Sequence, residues 1–423
     1  MNLLSIKFAA CEREVFAHFM IGNTYGYSQQ DYLNDIQAAH NAGIDGFALN
    51  FATNNVFAST DIALNDIYKA AESFGNSFRL FLSFDYAVVP DWDPLTVVEY
   101  IDRYKTSSAQ FKYNGKPFVS TFEGPDRAAD WENIKNQTGC FFIPDYSSLG
   151  AFGAASLPSV DGLLSWNAWP QYQDDVPKAD QEYISALGGR PYMMPVSPWF
   201  FTNIPEYNKN WLWHSDELWP RRWDQVFQLK PTFVELLTWN DWGESQYLAA
   251  LPRSEDVIPA AARGYVSAAP HVSWLSDLPY YIQKYKNGGS EPAVGSYTPH
   301  ITFWYRLNPK GSCSTGDTTC NSAKNGQTTY PPTDCAKDAV FFSVFTGSKA
   351  TVHVSIGGEV QEPQVASSGG VFHANVPFNS LTGLVEIAAT MEDGSRLGPI
   401  YGPEISKECV GGQVNWNAWV GGS

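Results

Sequence analysis

The sequence predicts a (β/α)8 TIM barrel over residues 1–290, followed by a smaller antiparallel β-sandwich over residues 291–423. Between residue 15 and about residue 285, short apolar runs alternate with capped amphipathic segments, and there are eight such runs. Eight units fit a barrel or an open doubly wound sheet, but no G-x-G-x-x-G or Walker loop follows any run, which favours the barrel. After a linker near residue 290 the hydrophobic period changes to two.

The apolar runs are predicted to be parallel strands because they are continuous, as strands buried on both faces are. They cover residues 15–21, 46–51, 78–84, 117–122, 140–144, 162–165, 191–196 and 233–238. The intervening segments carry helix signals, including a capping box at Ser28, an apolar stripe from Leu64, and Asp93 before Pro94. An insertion over 251–271, rich in Ala and Pro, delays the last helix, and we expect it to decorate the active-site face.

The C-terminal part has a strand pattern. Residues 286–292 form a Gly-containing linker, and beyond it Val352, Val354 and Ile356 alternate with polar residues. Asp393 and Gly394 indicate a hairpin turn. We interpret this part as a small β-sandwich that supports the barrel, with binding of an insoluble substrate as the alternative.

The six cysteines indicate disulfides, because their spacing fits neither a zinc nor an iron–sulfur site. Four of them follow residue 310, and we expect these four to form two bonds between cysteines that are consecutive in the sequence. We expect these bonds to join Cys313 to Cys320 and Cys335 to Cys409. The pairing of Cys11 and Cys140 stays open.

The composition indicates an extracellular protein that handles an uncharged substrate. With 27 basic and 44 acidic residues the formal charge is −17, which repels nucleic acids and anionic membranes. No run of 18 apolar residues predicts a membrane span. Residues 1–11 resemble the end of a signal peptide with a short apolar stretch, and the sequon at Asn136 agrees with secretion. We expect a monomer that is secreted to the extracellular space or cell wall.

Polar and aromatic residues follow the predicted strands, at the edge where a barrel builds its active site. They are His18, Asn50, Asp85, Tyr86, Glu123, Asp145, Trp166, Asn167, Trp169, Trp199, Trp239, Asn240, Asp241, Trp242 and Glu244. Carboxyl groups that protonate a leaving oxygen and activate water, together with rings that stack on sugars, predict cleavage of glycosidic bonds. The sequence has no GxSxG elbow and no HExxH motif, and we expect neither a metal nor a cofactor.

Asp241 and Glu244 are the strongest catalytic candidates. A straight strand would place them about 10 Å apart on opposite faces, whereas one helical turn brings their Cβ atoms to about 5 to 6 Å. Gly243 makes such a turn easy, so both carboxyl groups can face one cleft. The competing interpretation is that Asp241 only caps the next segment and Glu244 is a solvated loop charge.

The other strand-end residues are assigned by their chemistry. Asp85 is the third catalytic candidate. The alternative is that Asp85 has a structural role and bonds loop amides. We expect Glu123 and Asp145 to bind hydroxyl groups of the substrate. His18 is expected to be a hydrogen-bonding residue rather than a base. The remaining residues, Asn50, Tyr86, Trp166, Asn167, Trp169, Trp199, Trp239, Asn240 and Trp242, are candidates for substrate binding, and core packing competes with that role for the aromatic ones.

Residues 416–419 repeat the sequence Trp-Asn-Ala-Trp of residues 166–169. We interpret this repeat as coincidence, with a second sugar-binding edge as the alternative.

The strand-end motifs resemble glycoside hydrolase family 71, the fungal endo-α-1,3-glucanases or mutanases. The resemblance extends from about residue 15 to 285 and is carried by residues 17–19, 43–50, 83–85, 166–169 and, most specifically, 238–245. It implies a secreted barrel with an attached β-sandwich, α-1,3-glucan as substrate, no cofactor, and inversion at the anomeric carbon. By position it places the acidic residues of the family at Asp85, Asp241 and Glu244.

Our hypothesis takes Glu244 as general acid, kept protonated by its neighbours, and Asp241 as general base. The reverse assignment, or Asp85 as the base, stays open. Two other functions also stay open, a barrel that only binds polysaccharide and a glycosidase for another linkage, because the fold and its carboxylates do not encode the bond that is cut.

Overall fold

Strands and helices alternate along the first two thirds of the chain in the computed structural model, which describes residues 13–54, 59–171 and 178–423. The strands of this part are β1 (Glu14–Met20), β2 (Gly46–Phe51), β3 (Arg79–Asp85), β4 (Lys112–Tyr113), β5 (Lys116–Phe122), β6 (Phe141–Phe142), β7 (Leu163–Leu164), β8 (Tyr192–Val196), β9 (Phe201–Ile204), β10 (Lys209–Leu212) and β11 (Phe233–Leu236). Each of the eight predicted apolar runs contributes one of them, while β4, β9 and β10 lie between runs.

The eight predicted strands pair in parallel and in chain order, as in a TIM-like sheet. β1 pairs with both β2 and β11, so the first and the last predicted strand are neighbours. The order continues from β2 through β3 and β5 to β6 on one side, and from β11 through β8 to β7 on the other. A parallel bridge from Asp145 to Leu164 joins the two sides beyond β6 and β7. The side chains at the carboxyl ends of these strands therefore share one edge.

Helices follow the strands where the sequence signals predict them. They are α1 (Gln29–Asn41), α2 (Thr60–Glu72), α3 (Pro94–Tyr104), α4 (Asp130–Thr138), α5 (Gly150–Ala155), α6 (Lys178–Leu187), α7 (Leu218–Leu229), α8 (Arg263–Val266) and α9 (Leu278–Lys286). At the start of α3, Asp93 accepts a hydrogen bond from the Thr96 amide at 3.0 Å and Pro94 occupies the first turn, as predicted. Within the described ranges, no helix is both long and apolar enough to cross a membrane.

A hairpin that the sequence did not predict follows β8. Its strands β9 and β10 pair antiparallel, and β10 also runs parallel to β13 (Thr319–Cys320) of the C-terminal part. The insertion at 251–271 packs beside it, since Phe201 of β9 and Ile258 and Tyr265 of the insertion share one buried cluster with Trp416. The hairpin thus connects the carboxyl-end edge of the barrel strands to the C-terminal part.

The C-terminal part contains two antiparallel sheets. The remaining strands are β12 (His300–Tyr305), β14 (Ala339–Thr346), β15 (Ala350–Ile356), β16 (Glu359–Val360), β17 (Gln364–Ala366), β18 (Gly370–Pro377), β19 (Gly383–Met391), β20 (Arg396–Ile405) and β21 (Trp419–Gly422), and the short helix α10 covers Pro332–Cys335. One sheet has the order β18-β14-β12-β21, and the other has the order β16-β15-β19-β20, with β17 beside β15. The predicted period-two strand is β15, and the predicted hairpin turn at Gly394 joins β19 to β20.

The first of these sheets packs on both of its faces. Ile301 and Phe342 belong to one buried cluster with Val354 and Ile387 of the second sheet. The other face turns toward the barrel, where Trp304 joins the main hydrophobic core. Because apolar surface is buried on both sides, this sheet is a fixed part of the molecule rather than a loosely tethered one.

The predicted disulfide pairing is wrong. The bonds join Cys313 to Cys409 and Cys320 to Cys335, with Cα atoms 6.4 and 5.7 Å apart. Sequence proximity misled the prediction because a bridge between Ser314 and residue 413 brings the two ends of the C-terminal part together. Cys320 in β13 instead faces Cys335 in α10, and both are buried.

Cys140 is buried and forms no disulfide with any of the described cysteines, and burial raises the pKa of its thiol to about 11. Cys11 lies outside the described residues.

We predict that peptide mapping without reduction will recover linked peptides for Cys313–Cys409 and Cys320–Cys335. The Cys320–Cys335 bond has a sequence separation of 15 residues, so the double variant Cys320→Ser/Cys335→Ser should lower the free energy of unfolding by about 3 kcal/mol. Denaturant titration measures that loss. A linked peptide containing Cys313 and Cys320 would contradict the pairing.

Candidate active site

The chain bends directly after β11, as the spacing of Asp241 and Glu244 predicted. Residues Trp242–Glu244 form one 3-10 turn, and Ser245 follows in the left-handed region with φ 57°. The carboxylate of Asp241 accepts the amide N–H of Glu244 at 3.2 Å, which closes the turn. Asp241 therefore caps the turn through its Oδ1 atom, as the competing interpretation held. The same bend also brings the carboxyl groups of Asp241 and Glu244 together.

The two carboxyl groups share one hydrogen-bond donor. The side-chain nitrogen of Gln246 donates to Glu244 Oε2 at 2.7 Å and to Asp241 Oδ2 at 3.3 Å. Because both oxygens bond the same atom, they lie at most about 6 Å apart. Asp241 and Glu244 are partly exposed, with 15% of the Glu244 side chain accessible, so water can reach the pair.

Lys209 in β10 supplies the positive charge of this site, and it was not among the predicted residues. Its ammonium group forms an ion pair with Glu244 Oε1. Lys209 belongs to the hairpin inserted after β8 and lies 35 residues before Glu244 in the chain. Its role depends on how the hairpin folds over the edge of the sheet, which no local pattern encodes.

The electrostatics of the site separate the two carboxyl groups. Burial, and then the charge of Glu244, raise the pKa of Asp241 to about 7. The Glu244 carboxylate raises the pKa of Lys209 to about 12. One cation faces two acids, so at neutral pH one carboxyl group carries the charge that pairs with Lys209, and the other can hold a proton.

Asp85 lies at the end of β3, where its Oδ1 atom accepts the amide N–H groups of Ala87 and Val88 at 3.0 and 2.9 Å. Burial raises the pKa of Asp85, while these amides and the neighbouring His18 and Asn50 oppose the rise. Asp85 therefore does bond loop amides, which was the alternative to a catalytic role. These bonds use only the Oδ1 atom of its carboxylate.

Glu123 and Asp145 are both bonded to serine residues of one turn. The carboxylate of Glu123 accepts the amide and the hydroxyl of Ser148, at 3.0 and 2.6 Å. Asp145 accepts the same two groups of Ser147 and is completely buried. Burial, and then the charge of Glu123, raise the pKa of Asp145 well above its usual value.

His18 and Glu235 form a buried pair that the sequence analysis missed. His18 Nδ1 lies 2.7 Å from Glu235 Oε1, and both side chains are nearly inaccessible. Glu235 was overlooked because it stands in the middle of the apolar run that forms β11, where no strand-end rule points to it. A glutamate inside such a run is itself a signal, since an acid that is fully buried requires a partner.

The three asparagine candidates have different surroundings. Asn240 accepts the amide of Met20 at 2.8 Å and donates to the carbonyl of the same residue at 3.1 Å, so its side chain ties the loop after β11 to β1. Asn50 is buried beside Asp85. Asn167 is exposed.

Most of the aromatic candidates are packed in the interior. Trp199, Trp239 and Trp242 are at most 1% exposed, and Tyr86 is buried against Gly124. Because stacking on a sugar requires an exposed ring face, the buried positions favour the packing alternative for these four residues.

The two remaining aromatic candidates contact other rings. Trp166 is half-buried and contacts the ring of His18 edge to face, with 4.9 Å between the ring centroids. Trp169 stacks on Trp213 with a centroid distance of 5.2 Å. Across the described part of the chain, no group of three or more His, Cys, Asp or Glu side chains is arranged to hold a metal ion.

Comparison with known proteins identifies the family. The family model described as glycosyl hydrolase family 71 matches residues 11–423. The chain belongs to this family. It is 33% identical to glucan endo-1,3-alpha-glucosidase agn1 of Schizosaccharomyces pombe, over 98% of this chain and 96% of that protein.

Two further relatives carry related names. A mutanase of Penicillium rubens is 31% identical over 97% of this chain and 88% of its own length. The ascus wall endo-1,3-alpha-glucanase of Schizosaccharomyces pombe is 31% identical over 89% of this chain and 88% of that protein. This family 71 chain is a glycoside hydrolase.

We predict that Asp241→Asn is more stable than the wild type at alkaline pH. A carboxyl group with a raised pKa contributes stability that is fully present below its unfolded value near 3.8 and is lost as the pH rises through about 7. Asn does not titrate, so the variant does not lose this stability. Its free energy of unfolding should exceed that of the wild type by almost nothing at about pH 4 and by at most about 4 kcal/mol at about pH 8. Denaturant titrations at both pH values measure it, and an advantage independent of pH would contradict the assignment.

Proposed function

We propose that the chain is a secreted, endo-acting enzyme that hydrolyses the α-1,3-glucosidic bonds of α-1,3-glucan, the linkage in the names of its relatives. The observation that carries the chemistry is the turn at Asp241 and Glu244, which holds two carboxyl groups close together beside one lysine. General acid and general base catalysis of acetal hydrolysis needs such a pair.

The contacts favour Asp241 as the general acid and Glu244 as the general base, the reverse of our first hypothesis. Among the described residues no cation is bonded to Asp241, and its raised pKa keeps a proton available near neutral pH. Glu244 forms an ion pair with Lys209, and a base must be ionised to accept a proton from water. The ion pair of Lys209 with Glu244 therefore determines which of the two carboxyl groups acts as the base and which as the acid.

Asp85, Asn50, His18 and Trp166 are proposed to surround the sugar next to the scissile bond. Asp85 and Asn50 end neighbouring strands, and Trp166 presents a half-buried ring beside His18. Glu235 positions His18, because a bond to Nδ1 fixes the ring and leaves Nε2 to bond elsewhere. Glu123, Asp145 and Asn167 stay predictions for contacts with more distant hydroxyl groups.

We propose inversion at the anomeric carbon, as the family resemblance implies. Inverting enzymes place their carboxyl groups about 6.5 to 9.5 Å apart, because a water molecule enters with the sugar. The oxygens that share Gln246 are at most about 6 Å apart, so inversion requires Gln246 to release one of them when substrate binds.

The organisation of the molecule supports the predicted division at residue 290. We infer that residues 13–290 form a closed (β/α)8 barrel and that the two antiparallel sheets beyond form a β-sandwich around their common cluster. Two disulfides agree with an oxidising compartment and thus with secretion. A monomer stays the prediction for the oligomeric state.

We predict that the purified protein releases reducing ends from α-1,3-glucan and not from α-1,4-glucan. Asp241→Asn and Glu244→Gln should each lower turnover by about 10² to 10⁴, the usual contribution of a general acid or base. Glu132→Gln, which removes an exposed carboxyl group on α4, serves as the matched control and should keep full activity.

Proton NMR of the fresh product should show the β-anomer first. Release from another glucan alone would reject the substrate, and an Asp241 or Glu244 variant with activity near that of the wild type would reject its assigned role. Binding of α-1,3-glucan without any hydrolysis would identify the chain as a binding protein.

We predict that Lys209→Met moves the alkaline limb of the pH profile of kcat/KM to higher pH. The positive charge of Lys209 lowers the pKa of Asp241, so its removal raises that pKa and keeps the acid protonated to a higher pH. Lys209→Arg retains the charge and should leave this limb in place. An unchanged limb in Lys209→Met would contradict the role of Asp241 as the acid.

A further inference from the structure

The second Trp-Asn-Ala-Trp sequence, at residues 416–419, lies against the catalytic turn. Trp416 is completely buried in the cluster that contains Trp242, which belongs to the turn itself. The carbonyl of Trp416 accepts the indole N–H of Trp199 at 3.2 Å, at the end of the strand β8. The C-terminal segment is therefore inserted between two loops of the barrel face.

Two asparagine side chains of the C-terminal segment, defined here as residues 415–419, bond Tyr265 in α8. The side-chain nitrogens of Asn415 and Asn417 both donate to the carbonyl of Tyr265, at 3.3 and 3.1 Å. Asn417 also donates to the hydroxyl of Tyr247 at 3.2 Å, and its own oxygen accepts the amide of Ala418 at 2.9 Å. The position of Tyr265 is thus fixed from the C-terminal side.

Tyr265 in turn bonds the residue between the two carboxyl groups. Its hydroxyl donates to the carbonyl of Gly243 at 2.7 Å, and the amide of Asn203 donates to that hydroxyl at 3.3 Å. The hydroxyl of Thr202 donates to the same Gly243 carbonyl at 3.1 Å. Both Tyr265 and Gly243 are buried, so water cannot replace these bonds without rearrangement.

The turn is also enclosed by packing. A Cβ atom at Gly243 would lie 3.1 Å from Ile204 of the hairpin and 3.2 Å from Pro259 of the insertion. The hydrogen bonds to the Gly243 carbonyl therefore set the orientation of a turn that has little space to move. A small rotation there would change the direction of Asp241 and Glu244 together, because they flank Gly243.

We propose that Tyr265 and Asn417 are positioning residues of the catalytic turn, through which the C-terminal segment forms part of the active site. The hydroxyl of Tyr265 orients the Gly243 carbonyl, and Asn417 orients Tyr265. The C-terminal part of the chain is accordingly required for the geometry of catalysis, and the repeat at 416–419 has a structural role distinct from that of residues 166–169. This inference rests on the proposed function of the turn.

The test removes one hydroxyl from each of two buried tyrosines. Tyr265→Phe should lower kcat by about 10- to 100-fold with KM within about twofold, because misplacement of catalytic groups by about 1 Å costs about that much in rate. Tyr305→Phe is the matched control, since that hydroxyl donates to the carbonyl of Pro403 at 2.6 Å within the C-terminal part. Its kcat should stay within about twofold of the wild type.

A second readout does not depend on the substrate. Amide hydrogen exchange of residues 241–246 should be faster in Tyr265→Phe than in the wild type, and unchanged in Tyr305→Phe. Asn417→Leu, which removes the Asn417 donor to Tyr265 and has a side chain of similar size, should reproduce both effects and serves if Tyr265→Phe does not fold.

The outcomes separate the two proposals. A wild type without activity on α-1,3-glucan rejects the proposed function, whereas the exchange experiment still tests the positioning. Equal kcat in Tyr265→Phe and Tyr305→Phe, or unchanged exchange of residues 241–246 in Tyr265→Phe, would overturn the inference.

Discussion

The turn after β11 holds two carboxyl groups, those of Asp241 and Glu244, beside the single positive charge of Lys209. The chemistry of the site follows from this excess of acidic groups. Desolvation makes a second negative charge costly, so the group without Lys209 as a partner keeps its proton near neutral pH. Gln246 adds a neutral donor that bonds both oxygens without changing the charge count. A proton donor and an ionised acceptor can therefore exist side by side without a metal or a second base.

The fold holds this turn from several directions. Asn240 ties its beginning to β1 through two bonds with the backbone of Met20. The hairpin brings Lys209 to its exposed side, and the insertion and C-terminal segment close the buried side through Tyr265. Loops that carry catalytic residues are usually more mobile than the strands they follow. Here the turn is contacted by segments from β1, the hairpin and the insertion, and these contacts restrict its movement.

The parts that the sequence predicted correctly are those that depend on local pattern. Eight apolar runs became parallel strands because burial on both faces leaves a continuous hydrophobic signal, and Gly243 between two acids predicted the bend. Lys209 and Glu235 were missed because their roles arise from pairing across 35 and 217 residues. The disulfides were paired wrongly for the same reason, since the chain brings Cys313 to Cys409 across the C-terminal part.

The interior of the barrel presents a similar charge problem. Asp145 and Glu235 are both fully buried, and among the described residues each has one oxygen atom without a hydrogen-bond partner. His18 is the basic group bonded to Glu235, and burial raises the pKa of Asp145 well above its usual value. Because burial of an uncompensated charge is costly, the raised pKa favours the neutral form of Asp145. Both of these acids are thus enclosed, whereas part of the Glu244 side chain is accessible to water.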